Sequence, residues 1–247
     1  MKRCLVLFLL LLSTLLWAQH PLQEVRVVIT GNTAPESPYR KMPERLYELV
    51  ETINRENPDL VIHTGNLVQG GHSWTGLTRQ DVKNQFREWK KVFSRLEAPL
   101  LTVYGSTDHF NDNDDLYREY TGHPLRYSSA LGDLRFIILH HDTNRIPKGD
   151  MKWLRRELKQ CGNRDIFIVS QRPLVNQATN EELVTLLSNY SIQGVISGSG
   201  SGYHRQEVRG LTWIQAGTGR LEQKGYYAYY VMTLSGRNMV IQGKRLR

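Results

Sequence analysis

Residues 58–71 read PDLVIHTGNLVQGG. The segment LVIHT (residues 60–64) has the make-up of a buried strand, and Gly65 turns the chain directly after it. A strand that runs into a polar, glycine-marked loop matters because α/β sheets bind their ligands beyond the carboxyl ends of the strands. The flanks share this design. EVRVVIT (24–30) reads as another buried strand, ending at Gly31. Between the two strands, Met42, Leu46, Leu49, Val50 and Ile53 fall at helical spacing, with Pro43 suited to a first helical turn. Thr78 and Asp81 form a capping box ahead of a helix whose apolar side is Val82, Phe86, Trp89, Val92 and Leu96. Pro99 then leads into a third strand, LLTVY (100–104).

Strand, helix, strand, helix, strand implies a parallel sheet in an α/β protein. The character changes near Arg126, where RYSSALGDLRFIILH reads as two strands joined around Gly132-Asp133. A helix over about residues 150–160 precedes the strand IFIVS (166–170). Another, capped by Thr179 with Glu182, precedes GVIS (194–197). The end is mostly strand: LTWIQ (211–215), YYAYYVMTL (226–234), a turn at Ser235-Gly236, and MVIQG (239–243). Two sheets with helices outside both make a four-layer α/β/β/α sandwich. The loops after Thr30, Thr64, Tyr104, Ser170 and Ser197 are then expected to converge.

These five loops resemble, in order, the five motifs of the calcineurin-like metallophosphoesterases, whose second motif is normally written HTGD. The resemblance covers nearly all of residues 24–247 and includes PLLTVYG, RFIILHHDTN and GLTWIQAGTGR outside the site. It implies the metallophosphoesterase fold and a site where aspartates, an asparagine and histidines hold two metals such as Mn, Fe or Zn. Two such cations polarise the phosphoryl oxygen and generate a hydroxide nucleophile. In this chain the matching positions carry other residues. In ITGNTA, Asn32 falls at the aspartate and Ala34 at the histidine; a shifted register would use Gly31 and Thr33 and restores no ligand pair. Asn66 replaces the bridging aspartate. Where the third motif reads Gly, Asn, His and then Asp or Glu, this chain has Gly105, Ser106, Thr107 and Asp108. Gln171 stands at a ligand histidine, and Ser199 and Ser201 at both histidines of the fifth motif.

An amide oxygen is a weak ligand for a transition metal, and loss of the imidazoles removes the nitrogen donors. No metal ligand and no catalytic residue is therefore assigned, and no cofactor is expected. The replacements are polar, which leaves two readings: neutral residues that satisfy one another, or a retained pocket that binds a ligand. Residues available to such a pocket are Asp108, His109, Arg172, His204 and Arg205. A rebuilt metal site from Asp108, His109 and His204 is one alternative, although their spacing matches no ligand signature. His63 reads as a packed scaffold residue, and His72 lies beside the second motif. A serine nucleophile fails on spacing, since Ser199 has Ser197 and Ser201 where the elbow needs glycines. Trp74, in VQGGHSWTG, is placed to cover a ligand or to pack on a neighbouring loop.

The first residues read as a targeting signal. Lys2 and Arg3 precede an apolar run from Cys4 to Leu12, extended by Leu15, Leu16 and Trp17, with small Ala18 at its end. A cleaved secretory signal over residues 1–18 and one domain over residues 19–247 is the expected organisation, and the protein would be secreted or periplasmic. An uncleaved anchor is the other reading; after cleavage no membrane span is expected. Cleavage removes two cations and no acid, taking the formal charge from +8 to +6. That balance suits an anionic small molecule or an envelope protein as partner. It shows no dedicated nucleic-acid binding, since GKRLR is the only dense basic run. Cys161 is then the sole cysteine, so no intramolecular disulfide forms. The leading functional expectation is an exported pseudoenzyme with a binding or interaction role. The alternative is an active phosphoester hydrolase with a non-standard site.

Overall fold

Alternation along the strands decides the layering. In the first strand, β1 (Val25–Thr30), Val27 and Ile29 face one way and Val28 the other, and all three are fully buried. A strand apolar on both faces must be covered on both. The computed structural model of the chain describes residues 24–140, 146–174, 181–218, 227–236 and 238–246, and shows what covers it. The expected signal segment, Thr179 and its cap lie outside the described residues.

After β1 come α1 (Arg45–Arg55), β2 (Leu60–His63), α2 (Arg79–Phe93), β3 (Leu100–Thr102) and α3 (Asp115–Thr121). The second half runs β4 (Tyr127–Leu131), β5 (Leu134–Leu139), α4 (Lys148–Cys161), β6 (Asp165–Ser170), α5 (Glu181–Leu187) and β7 (Ile192–Ser197). It ends with β8 (Ser201–Val208), β9 (Leu211–Thr218), β10 (Tyr227–Ser235) and β11 (Asn238–Leu246). One sheet has the order β11-β10-β1-β2-β3, with β1, β2 and β3 parallel and β10 antiparallel to β1. The other has the order β4-β5-β6-β7-β9-β8, parallel except for its two edge strands.

The sheets meet through a core that includes Val27, Ile29, Ile62, Phe136, Phe167, Val169, Ile196 and Met232. On the outer face of the first sheet, Val28 and Val61 pack with Leu46, Leu49, Phe86 and Trp89 from α1 and α2. On the outer face of the second, Ile137 and Ile168 pack with Leu154 and Leu158 of α4 and Leu183 of α5. This is the α/β/β/α sandwich expected from the sequence. Cys161 is a buried free thiol at the end of α4, as its place before Gly162 suggested.

Two elements escaped the sequence reading. Helix α3 is only seven residues long, too short for a periodic pattern, and a tertiary contact between Tyr117 Oη and Thr102 Oγ1 at 2.8 Å anchors it. Strand β8 falls where a loop of the fifth motif was expected. It pairs antiparallel with β9 through a turn at Arg209-Gly210, both at positive φ, as a tight hairpin requires. Its edge position leaves Tyr203, His204 and Arg205 exposed, so no apolar alternation marked it as a strand. The first helix also begins two residues beyond Pro43, whose carbonyl accepts from the Leu46 N–H.

The capping box formed as read. The Asp81 N–H donates to Thr78 Oγ1 at 3.2 Å, and the Thr78 N–H donates to Asp81 Oδ2 at 2.9 Å. Thr78→Ala is expected to lower stability by about 1 kcal/mol. The measurement is urea unfolding, with a lower midpoint and an unchanged slope.

Candidate functional site

The loops after β1, β2, β3, β6 and β7 come together at the carboxyl ends of the strands. The Asn32 N–H donates to the Gly65 carbonyl and the Ala34 N–H to the Asn66 carbonyl, both at 3.0 Å. The Gly198 N–H donates to the Ser170 carbonyl at 3.1 Å. Glycine permits two of the closest approaches. A Cβ on Gly105 would stand 2.1 Å from the Asn66 nitrogen, and one on Gly198 would stand 2.1 Å from Thr64 Cβ.

Asn32 and Asn66 both hold the left-handed backbone conformation, at φ 52° and 57°. Asparagine tolerates that region far better than most residues. Their side chains form a directed chain. Asn66 Oδ1 accepts from the Thr107 backbone N–H at 3.3 Å, which fixes the oxygen end of the amide. The Asn66 Nδ2 end therefore turns to Asn32 and donates to its Oδ1 at 2.8 Å. Asn32 Nδ2 in turn donates to Thr218 Oγ1 at 3.4 Å. Ser106 Oγ lies at the limit of bonding to Asn66 Oδ1, at 3.5 Å, and Thr107 Oγ1 donates to the Val68 carbonyl at 2.6 Å. Gln171 and Ser199 are half-buried beside these loops, and Ala34 is buried. Ser201 opens β8, its backbone opposite Thr218. Thr218 was missed in the sequence, where it reads as one more residue of the AGTGR segment.

Asp108 plays a different part from that expected. It is fully buried, and its carboxylate accepts from four backbone N–H groups. These belong to Asn66 (2.9 Å), Leu67 (2.6 Å), Val68 (3.0 Å) and Gly105 (2.8 Å). Burial pushes its carboxyl up to about 7 against the opposing pull of those donors. Asp108 thus ties the second loop to the third and offers no oxygen to a ligand. His109 points elsewhere, toward His72 and Asp112, and His204 is exposed on edge strand β8. Asp108, His109 and His204 do not assemble into a metal site among the described residues. Arg172 and Arg205 are also exposed, Arg205 lying 3.5 Å from Glu207. Of the five residues considered for a pocket, Asp108 is taken up by backbone donors and His109 faces His72 and Asp112.

His63 is a packed residue. Its ring makes edge contacts with Trp89 and Phe93, with centroids 5.8 and 5.2 Å away. The Gly65 N–H donates to Nδ1 at 3.3 Å, so the proton sits on Nε2 and is shared with Thr33 Oγ1 at 2.9 Å. Burial lowers its pKa to about 3.

An α/β/β/α sandwich with five loops converging on a hydrogen-bonded polar layer defines the class of protein to which this chain belongs. The profile of the calcineurin-like phosphoesterases matches residues 39–198, more than half of the chain, and the chain is a member of that family. A comparison with curated proteins found no match. Among solved structures, the chain is similar to a dimetal phosphatase from Danio rerio, at 13% identity and a TM-score of 0.68. That likeness covers 92% of this chain and 98% of the other. It is also similar to GAP50, the anchor in the inner membrane complex of Plasmodium, at 17% identity and a TM-score of 0.62. There 89% of this chain and 84% of the other are covered. At these identities the likeness is one of fold.

Two measurements follow from the buried pair of titratable groups. Asp108→Asn keeps the shape but turns an amide NH2 toward backbone donors. With two N–H groups left unpaired, the expected loss is about 3 kcal/mol, read as a lower denaturation midpoint at pH 8. His63 has a folded pKa below its ordinary 6.5, so its share of stability is present above pH 6.5 and is lost as pH falls toward 3. Asp108, raised above 3.8, works with the opposite sign: its share is full below 3.8 and is lost as pH rises through 7. The His63 ring is expected to stay neutral between pH 8 and 5. Its proton chemical shifts in NMR spectra of the folded protein will not move across that range.

Proposed function

We propose that this chain is an exported member of the family that has lost the dinuclear metal site and acts by binding rather than by hydrolysis. The observation that carries this reading is the Asn66–Asn32 contact. Where a ligand pair must turn lone pairs toward cations, Asn66 turns an N–H and gives it to its neighbour at 2.8 Å. The remaining family positions, Ala34, Ser106, Thr107, Gln171, Ser199 and Ser201, supply neither a carboxylate nor an imidazole. Neutral amides and hydroxyls are weak partners for Mn, Fe or Zn. No negative charge at those positions offsets the cost of stripping water from two cations. This donor set does not fit the family's metal pair, and no hydrolytic step is derived through it.

The substitutions also make sense for a site without ions. Clustered carboxylates repel when no cation lies between them. Asparagines at the same left-handed positions remove that repulsion and join the loops by hydrogen bonds instead. GAP50 offers a parallel: a similar fold serves there as the anchor of an inner membrane complex. An interaction role of that kind suits a polar, neutral loop surface on a basic protein. Lys2, Arg3 and the apolar run up to Trp17 support export. A positive charge after cleavage favours an anionic small molecule or an acidic envelope protein as partner.

The test is an assay of the mature protein on an aryl phosphate monoester and a bis-aryl phosphodiester, with Mn, Fe(II) or Zn supplied. The expected result is no turnover above the metal-containing buffer. Turnover accompanied by two tightly held ions per chain, measured by elemental mass spectrometry, would overturn the reading.

A further inference from the structure

Two histidines from different loops meet one aspartate away from the five family positions. His72 lies in the long stretch after the second motif, and His109 follows Asp108 directly. A parallel bridge joins Gly71 to Phe110, and the Gly71 N–H donates to the His109 carbonyl at 3.0 Å. That backbone contact sets the two imidazoles 5.0 Å apart between ring centroids, at 63°. Asp112 completes the group. Its Oδ1 lies 3.6 Å from His72 Nε2 and 3.9 Å from His109 Nδ1. One ligand-type atom from each residue lies within 4.8 Å of the other two.

These distances are informative because they are too long for hydrogen bonds and too short for indifference. Donor atoms around a tetrahedral zinc, at bond lengths near 2.0–2.1 Å, stand about 3.3 Å apart. The two distances from Asp112 are a few tenths of an ångström wider than that, and the ligand nitrogens of the two histidines lie within 4.8 Å of each other. The Asp112 backbone N–H donates to His109 Nδ1 at 3.2 Å, so that nitrogen carries a lone pair and no proton, and an ion bound there would replace this hydrogen bond. His72 Nε2 faces the aspartate, while the other ring nitrogen, Nδ1, is buried with no hydrogen-bond partner among the described residues. The neighbouring acids are taken by arginines, Asp114 by Arg118 and Asp115 by Arg79. Asp112 instead faces the imidazoles. Trp74 lies flat on His72, with ring centroids 3.7 Å apart and planes 13° from parallel.

We propose that His72, His109 and Asp112 form a mononuclear site for a divalent transition metal of the zinc class. Two imidazoles and a carboxylate are the donor set this class of ion takes. The ion would clip the loop carrying Trp74 to the loop that follows Asp108, and would keep one coordination position open to an outside ligand. The site uses none of the family's ligand positions, and so stands independently of the reading given for the amide layer.

The test is a titration of tag-free mature protein with Zn2+ by calorimetry and with Co2+ by visible absorption. One ion per chain is expected, with the intense cobalt bands of a low-coordinate site. Cobalt is also expected to quench tryptophan fluorescence in the wild type, and much less in Trp74→Phe. His72→Ala and His109→Ala should each weaken binding by more than about tenfold, since even outer-shell losses cost that much. Asp112→Asn alters a side chain that is 83% exposed, so the fold survives, as circular dichroism will confirm, and binding weakens likewise. His204→Ala, on the exposed edge strand, should bind zinc as the wild type does. No zinc binding, or binding undiminished when both His72 and His109 are replaced, would overturn the proposal. A second ion that survives both replacements would instead overturn the neutral-amide reading and leave this site standing.

Discussion

Asp108 carries a carboxylate into a fully buried position and gives both oxygens to backbone N–H groups, three from the loop after β2 and one from its own loop. Loops at the end of a sheet hold many backbone donors that cannot pair within a strand, and buried donors without partners are costly. One acceptor that satisfies four of them removes that cost and fixes two loops against each other. The consequences reach the rest of the site. With Asn66 held by its N–H, its side chain is aimed at Asn32, and with the third loop held, the Thr107 N–H orients the Asn66 amide. Gly105 allows the approach because it has no Cβ to strike the Asn66 nitrogen.

This arrangement explains why the resemblance to the family is uneven within a single motif. Gly105 and Asp108 fit the family's third motif, and both are needed for packing and backbone satisfaction whether or not an ion is bound. Ser106 and Thr107, between them, depart from it; Thr107 Oγ1 satisfies one backbone carbonyl, that of Val68, and Ser106 Oγ reaches only the Asn66 side chain. The same division holds at Asn32 and Asn66. Their left-handed backbone favours a short polar side chain, a demand that asparagine and aspartate both meet. The local conformation is therefore compatible with either residue, and the difference between them falls on charge and on the amide N–H that only asparagine can donate.

The loops also show that proximity along the chain is a poor guide to shared chemistry. Asp108 and His109 are adjacent, yet one is buried as a backbone acceptor and the other turns to His72 and Asp112. His204, polar and reactive in type, sits on an exposed edge strand. Pairing with β9 placed it there, and nothing in its neighbours' hydropathy signalled a strand. Helix α3 escaped notice for a related reason: seven residues span two turns, and what holds Tyr117 is the hydroxyl of a distant threonine.

The sequence by itself determined the frame. Period-two runs such as Val27 to Ile29, the helical spacing of Leu46 to Ile53, the Thr78–Asp81 cap and the glycine turns are local signals. Each is set by the geometry of a few consecutive residues, and together they specify which strands and helices form and which loops meet. It also determined which residue types stand at the family's positions. Which atoms face one another was decided only by the tertiary structure. The Asn66–Asn32–Thr218 chain joins residues up to 186 positions apart, and His72 reaches Asp112 through a backbone bridge between two loops. Hydrogen bonds and ligand geometry depend on distances of a few tenths of an ångström, and only the packing of the two sheets sets those distances.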